Sequence, residues 1–245
     1  MNDFSILLKR VHLSRRVFTA TVILLVILCI LFTFSYIGIR KKIDTITMNQ
    51  LRSTQLLISN INYKNERQRV ILFSRDVILR TNSKLSYDEA FSIAASNVKW
   101  CEIYPNLDPI LWLSLQLVES HFYRKAISPM GAIGLNQIMP FNARNLCKGF
   151  GINYKDSMLY DIELNNRFGA QLFDDAYTEY KGDISTALAC YNGGPWSAFY
   201  VQQKMSTKVN DETKKYVSDV LNMLKALKEE FNAYSLDVND IIKEK

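Results

Sequence analysis

Residues 17–39, VFTATVILLVILCILFTFSYIGI, contain no charged side chain, and no other feature constrains the chain as strongly. At 1.5 Å rise per residue these 23 residues span about 34 Å as a helix, enough to cross a hydrocarbon core of roughly 30 Å. A soluble core helix fits poorly, because the run has no polar face and cations close both ends. Lys9, Arg10, Arg15 and Arg16 precede it, and Arg40, Lys41 and Lys42 follow. A cleaved signal peptide is the competing expectation. The apolar run exceeds the roughly 7–15 residues of such peptides, and the nearest small-x-small site is Thr33-x-Ser35. The sequence favours an uncleaved signal anchor. Four cations before the run and three after place the N-terminus in the cytoplasm only by a narrow margin.

The chain of 245 residues has a formal net charge of +6, which would ordinarily raise nucleic acid as a partner. Residues 1–42 hold seven basic residues and one acid, Asp3, so that segment alone carries the whole excess. Residues 43–245 hold 23 of each sign and are neutral. The basicity belongs to the membrane crossing, and a nucleic-acid surface is not expected.

Cys29 sits inside the apolar run, leaving Cys101, Cys147 and Cys190 beyond it. Spacing leaves both a Cys101–Cys147 disulfide and separate buried thiols open, with separate thiols favoured. The only histidines are His12 and His121. No constellation with two histidines on one side of the membrane is available, and neither a metal nor a cofactor is expected.

About 200 residues follow the anchor, enough for one domain with a proper core. Residues 43–65 are polar and read as a membrane-proximal stalk. Val70, Ile71, Phe73, Val77 and Ile78 recur at helical spacing over 66–80, with Asn82 as a stop. This helix either packs on the domain or docks a partner in an envelope-spanning machine. Ser86 and Glu89 form a capping box ahead of a second helix. Asp108-Pro109 opens a third, ILWLSLQLVES, apolar on nearly every face and so central to the core. Another is expected after Asp161, running to Tyr180 with Gly182 at its end. Asp183 caps a further helix that Gly193-Gly194-Pro195 should stop, and a last amphipathic helix covers roughly 212–231. No convincing strand pattern appears, so the fold is expected to be mainly α.

Glu119 is the only acid in the apolar helix and falls at its C-terminal end. The macrodipole and apolar surroundings there both raise a carboxyl's pKa, as a general acid near neutral pH requires. Position alone does not separate it from a solvated helix end. Gly131-Ala-Ile-Gly134-Leu-Asn-Gln137-Ile-Met139-Pro140 adds two glycines of unusual backbone geometry, and Tyr191-Asn192-Gly193-Gly194 puts a phenol and an amide at a helix terminus.

These segments, in order with Glu119-Ser120-x-Phe122, Ala126-x-Ser128 and Glu212-Thr213-x-x-Tyr216-Val217, resemble the soluble-lytic-transglycosylase catalytic domain over about residues 95–230. The resemblance implies a goose-type-lysozyme-like helical domain behind one transmembrane helix. It implies Glu119 as the single catalytic acid and base, acting on peptidoglycan at the β-1,4 bond between N-acetylmuramic acid and N-acetylglucosamine. Ser128, Gln137, Met139, Tyr191 and Asn192 match positions lining the cleft, and Tyr216 matches a helix residue near its floor. The sequence departs from the common pattern at Asn136, where Met is frequent, at Cys190, where Ala is usual, and at Lys214, where Arg is common.

The expected organisation is a cytoplasmic tail (1–16), an anchor (17–39), a stalk and helix (40–85), a catalytic domain (86–235) and a tail (236–245). The domain should lie in the periplasm, held on the bacterial inner membrane, with glycan strands as partner and a second protein possible through 43–85. Two rivals remain. A lysozyme-type hydrolase would recruit a second carboxylate from Asp156, Asp161 or Glu163 to activate water. A non-catalytic glycan-binding scaffold would have no use for a raised-pKa acid.

Overall fold

The structure is a computed structural model describing residues 2–234, with side chains described for Arg15 and from Val17 onward. The expected tail 236–245 lies outside the described residues, as do the side chains of Lys9, Arg10, His12 and Arg16. The chain divides into two compact units, residues 1–63 and 64–245. Helix α1 is assigned to Asn2–Thr81.

In the first unit the apolar residues 17–39 are exposed along their length. This helix is long and apolar enough to cross a membrane. Its hydroxyls are turned inward on the backbone: Thr19, Thr21 and Thr33 donate to the carbonyls of Arg15, Phe18 and Ile30 at 2.7–2.8 Å. That pattern removes the cost of carrying hydroxyls into hydrocarbon. Residues 43–63, expected to be a polar stalk, are helical too.

The second unit is helical among its described residues, with only isolated bridges at Ile127–Ile133 and Ile133–Ile138. After residues 64–81 come α2 (Tyr87–Ile103), α3 (Pro109–Ser120), α4 (Pro140–Gly149), a 3₁₀ turn (Asp156–Tyr160), α5 (Ile162–Glu179), α6 (Ile184–Gln202) and α7 (Asp211–Ala233). The local signals operate as expected. Ser86 accepts from Glu89 N at 3.1 Å, and Asp108 Oδ1 accepts from Ile110 N at 2.8 Å and Leu111 N at 3.1 Å. Asp161 and Asp183 cap α5 and α6 in the same way.

Helix α3 is the axis of the unit: every residue from Ile110 to Gln116 is buried. One side meets 64–81 and α2 through Ile78, Ile93 and Leu113. The other meets α5, α6 and α7 through Trp112, Phe173, Leu188 and Val220. A third cluster joins the 131–139 loop to α4 and α5 through Ile133, Ile138, Cys147 and Phe168.

Two elements differ from expectation. Helix α4 had not been read from the sequence, because Met139 at its N-cap supplies no side-chain hydrogen bond. Gly193-Gly194-Pro195 ends the first helical segment of α6 as expected, and what was not read is the second segment that follows it. Gly194 adopts φ 76°, ψ −177°, and the helix resumes to Gln202. Glycine reaches that conformation without strain, and proline is tolerated at the first turn of the restarted helix.

Residues 66–80 pack on the domain. Phe73 meets Phe231 edge-on at 5.2 Å and Tyr234 at 5.3 Å. Arg69 Nε donates to Tyr234 O at 3.0 Å, and Tyr234 Oη donates to Asp76 Oδ2 at 2.8 Å. We predict that Phe73→Ala costs about 3–5 kcal/mol, read as a lower urea midpoint at unchanged m-value. A neutral result would return this segment to a docking role.

Candidate active site

Glu119 occupies the last turn of α3, half-buried. The chain leaves the helix through two successive residues at positive φ, His121 (49°) and Phe122 (59°). Phe122 is buried completely in the core. The core therefore holds a backbone turn that non-glycine residues rarely adopt, and the direction of the helix end is fixed. Ser120 Oγ donates to Leu135 O at 2.8 Å, tying that end to the glycine-containing loop.

The loop is folded on itself by paired bonds between Ile133 and Ile138, at 3.0 and 2.9 Å. Gly134, at φ 87°, makes the approach possible. A Cβ there would lie 2.1 Å from Asn165 Nδ2 and 2.4 Å from Leu159 O. Gln137, at φ 47°, donates from Nε2 to Gly134 O at 2.9 Å. Ser128 Oγ accepts from Ala132 N at 3.0 Å and turns the start of the loop.

Beneath the loop lies a set of buried amides that the motif reading missed. Asn136 is 0 % exposed. Its Oδ1 accepts from Gln116 Nε2 at 3.0 Å. Its Nδ2 donates to Asn166 Oδ1 at 2.8 Å and Asn165 Oδ1 at 3.1 Å. Gln116 Oε1 in turn accepts from Asn97 Nδ2 at 2.7 Å. Tyr191 Oη donates to Asn136 O at 2.8 Å, so this network also holds the phenol on α6. The available signal was a glutamine in the middle of an otherwise apolar α3, together with asparagine where Met is frequent.

A cleft of about 380 Å³ opens between the loop and α5–α6, lined among others by Gln137, Met139, Tyr191, Asn192 and Pro195. Four of the expected site residues thus share one wall system. Ser128, Glu119 and Tyr216 are not part of that lining. Glu119 is nonetheless close enough to Tyr191 and Tyr216 to raise the pKa of both phenols beyond what burial alone does. Asn192 Oδ1 accepts from Thr213 Oγ1 at 2.8 Å, which fixes the amide against α7.

Burial pushes the Glu119 carboxyl up to about 7, with the Tyr216 hydroxyl pulling the other way. Tyr216 Oη is itself buried and forms no hydrogen bond of normal length and angle. It is nonetheless close enough to Glu119 to favour the charged carboxylate. The three other carboxylates considered are engaged elsewhere. Asp161 caps α5, Glu163 pairs with Lys99 at 2.5 Å, and Asp156 sits against Tyr154. No group of three metal-ligating side chains occurs among the described residues. Cys101, Cys147 and Cys190 are free thiols, the first two buried and Cys190 on the cleft wall.

A folded pKa near 7 against 4.5 in the open chain has a definite sign. Between these values the folded protein keeps a proton the unfolded chain has released, so Glu119 favours folding at low pH. That contribution is lost as pH rises through about 7. Glu119→Gln should therefore gain stability relative to the parent on moving from pH 5 to pH 8, by at most about 3 kcal/mol. Thermal unfolding at both pH values measures it, and an equal difference at each would contradict a buried, proton-holding carboxyl.

Residues 100–216 match the family model described as the Transglycosylase SLT domain. That range includes Glu119, Ser128, Gln137, Met139, Tyr191, Asn192 and Tyr216. A transglycosylase of Enterobacteria phage PRD1 is 37 % identical over 89 residues, which is 36 % of this chain and 30 % of that protein. The solved structure of an inactive glutamate-to-glutamine mutant of lytic transglycosylase Slt from Pseudomonas aeruginosa superimposes with a TM-score of 0.51 at 26 % identity. That match covers 59 % of this chain and 25 % of the other. The likeness thus spans less than a third of each relative. Across residues 100–216 this chain is thus similar to the Transglycosylase SLT domain, and its helical fold is like that of the lytic transglycosylase Slt structure.

Proposed function

We propose that the protein is a membrane-anchored lytic transglycosylase of peptidoglycan. The observation that carries this reading is Glu119, a single carboxyl with a pKa near 7, at the end of a buried helix in an SLT domain. The inactivity of the glutamate-to-glutamine mutant of the Pseudomonas aeruginosa relative is in keeping with it. Protonated Glu119 gives its proton to the glycosidic oxygen as the bond to the muramyl C1 breaks. The resulting carboxylate then takes the proton from the C6 hydroxyl of the same sugar, whose oxygen closes on C1. The product is a 1,6-anhydro ring, no water is consumed, and Glu119 returns to its starting state. A pKa near 7 suits both halves of that cycle.

The engagement of Asp156, Asp161 and Glu163 in other contacts supports the one-carboxylate route over inverting hydrolysis, which needs a base poised beside a water. Gln137, Met139, Tyr191 and Asn192 would hold the sugar in the cleft. Ser128 shapes the loop, and Tyr216 tunes the acid. In this reading residues 17–39 anchor the chain in the inner membrane with the N-terminus cytoplasmic, and the domain works in the periplasm where its substrate lies. Segment 64–81, whose core residues pack inside the second unit, belongs with the catalytic domain. That leaves 43–63 as the stretch exposed to any protein partner.

Glu119→Gln should lower glycan release from purified sacculi about 10²- to 10⁴-fold. Mass spectrometry of the parent's products should find 1,6-anhydro-muramyl ends. Reducing muramic acid instead would replace the lyase with a hydrolase, and full release by the variant would remove Glu119 from catalysis. The parent's kcat/KM should also fall as pH rises above about 7, because the acid form is lost.

A further inference from the structure

The restarted half of α6 carries an aromatic surface that the reaction above does not use. Pro195 lines the cleft. One helical turn further on, at i+4, Phe199 lies on the same face of the helix, and Trp196 and Tyr200 flank it. Trp196 is 72 % exposed and Phe199 42 % exposed, whereas Ser197 and Ala198 between them are buried. The three rings brace one another. Trp196 meets Phe199 at 6.0 Å and Tyr200 at 6.4 Å, and Phe199 meets Tyr200 at 5.7 Å. Lys208 Nζ sits 5.8 Å from the Tyr200 ring centre.

Two exposed rings braced by a half-buried third cost solubility unless something covers them. Their position narrows the occupant. Phe199 stands one helical turn beyond Pro195 of the cleft lining, on a helical segment whose direction is set by the kink at Gly194. A cleft of about 380 Å³ lies near the lower end of ligand-pocket sizes, so a polymer threaded through it must leave over its edge. Sugar rings present apolar C–H faces to aromatic planes and equatorial hydroxyls to water, and a rigid ring cluster binds them at little entropic cost.

We propose that Trp196, Phe199 and Tyr200 form a stacking platform that binds further N-acetylated sugars of the glycan strand beyond the cleft. This rests on the glycan-cleaving reading above. The platform sets a preference for long strands over short ones. A bilayer surface is the competing occupant, since Lys204 and Lys208 lie nearby in sequence.

The test uses the full chain in nanodiscs, with long glycan strands and a two-disaccharide fragment as parallel substrates. Trp196→Ala should reduce the ratio of long-strand to short-fragment kcat/KM about five- to twentyfold, the scale of a lost ring-stacking contact, mainly through KM. Trp196→Phe should restore most of it. An unchanged ratio overturns the platform. So does quenching of Trp196 by brominated phospholipid in the nanodisc without glycan, which would assign the rings to the bilayer. Glu119→Gln is run alongside. If that variant cleaves normally the catalytic reading fails, whereas its inactivity with an unchanged Trp196→Ala ratio removes only the platform.

Discussion

A carboxylic acid stays protonated near neutral pH only if its charged form is denied water, and the second unit is arranged around doing that for Glu119. The end of α3 is surrounded by two buried phenols, from α6 and α7, and no cation is among the groups that set its pKa. Desolvation therefore goes uncompensated, apart from the weak pull of Tyr216. The same arrangement costs stability once the acid ionises, a usual exchange at a functional site.

Holding that helix end in place falls to contacts that carry no chemistry. Phe122 locks a strained turn directly after it. Ser120 ties it to the loop at Leu135, and Gly134 lets the loop approach α5 closely. Asn136 then links α3 and α5 through hydrogen bonds of its side-chain amide, and α6 through its backbone carbonyl, which accepts from Tyr191 Oη. Buried amides are costly when unpaired, so such a network specifies one arrangement of helices far more sharply than apolar packing would. It also accounts for the departure at Asn136: the asparagine bonds Gln116, Asn165 and Asn166 at once, and a Met would remove all three bonds and leave Gln116 with only Asn97 and Asn166.

Much of this was legible in the chain before folding. The capping residues Ser86, Asp108, Asp161 and Asp183 act over two or three residues, so their geometry is local and sequence spacing determines it. The apolar α3 announced its burial, and the motif order singled out Glu119. Helix α4 and the continuation of α6 were not legible. The first lacks a side-chain cap, and the second restarts directly after a glycine whose conformation breaks the helix. Ser128 Oγ accepts from Ala132 N four residues on, a backbone bond that the motif reading did not include.

The sequence by itself determined an uncharged helix long enough for a membrane, a neutral helical domain beyond it, and a single acid at the end of its most apolar helix. Those features, Glu119 at the end of an apolar helix among them, follow from composition, period and spacing, which operate within a few turns of chain. Only the tertiary structure decided which groups surround that acid. Residues 116, 136 and 166 meet through space, Tyr191 and Tyr216 reach Glu119 from separate helices, and the rings of Trp196, Phe199 and Tyr200 emerge beside the cleft rather than within it. Desolvation, and the pKa it sets, is a property of everything packed around a group, and no local stretch of sequence contains that.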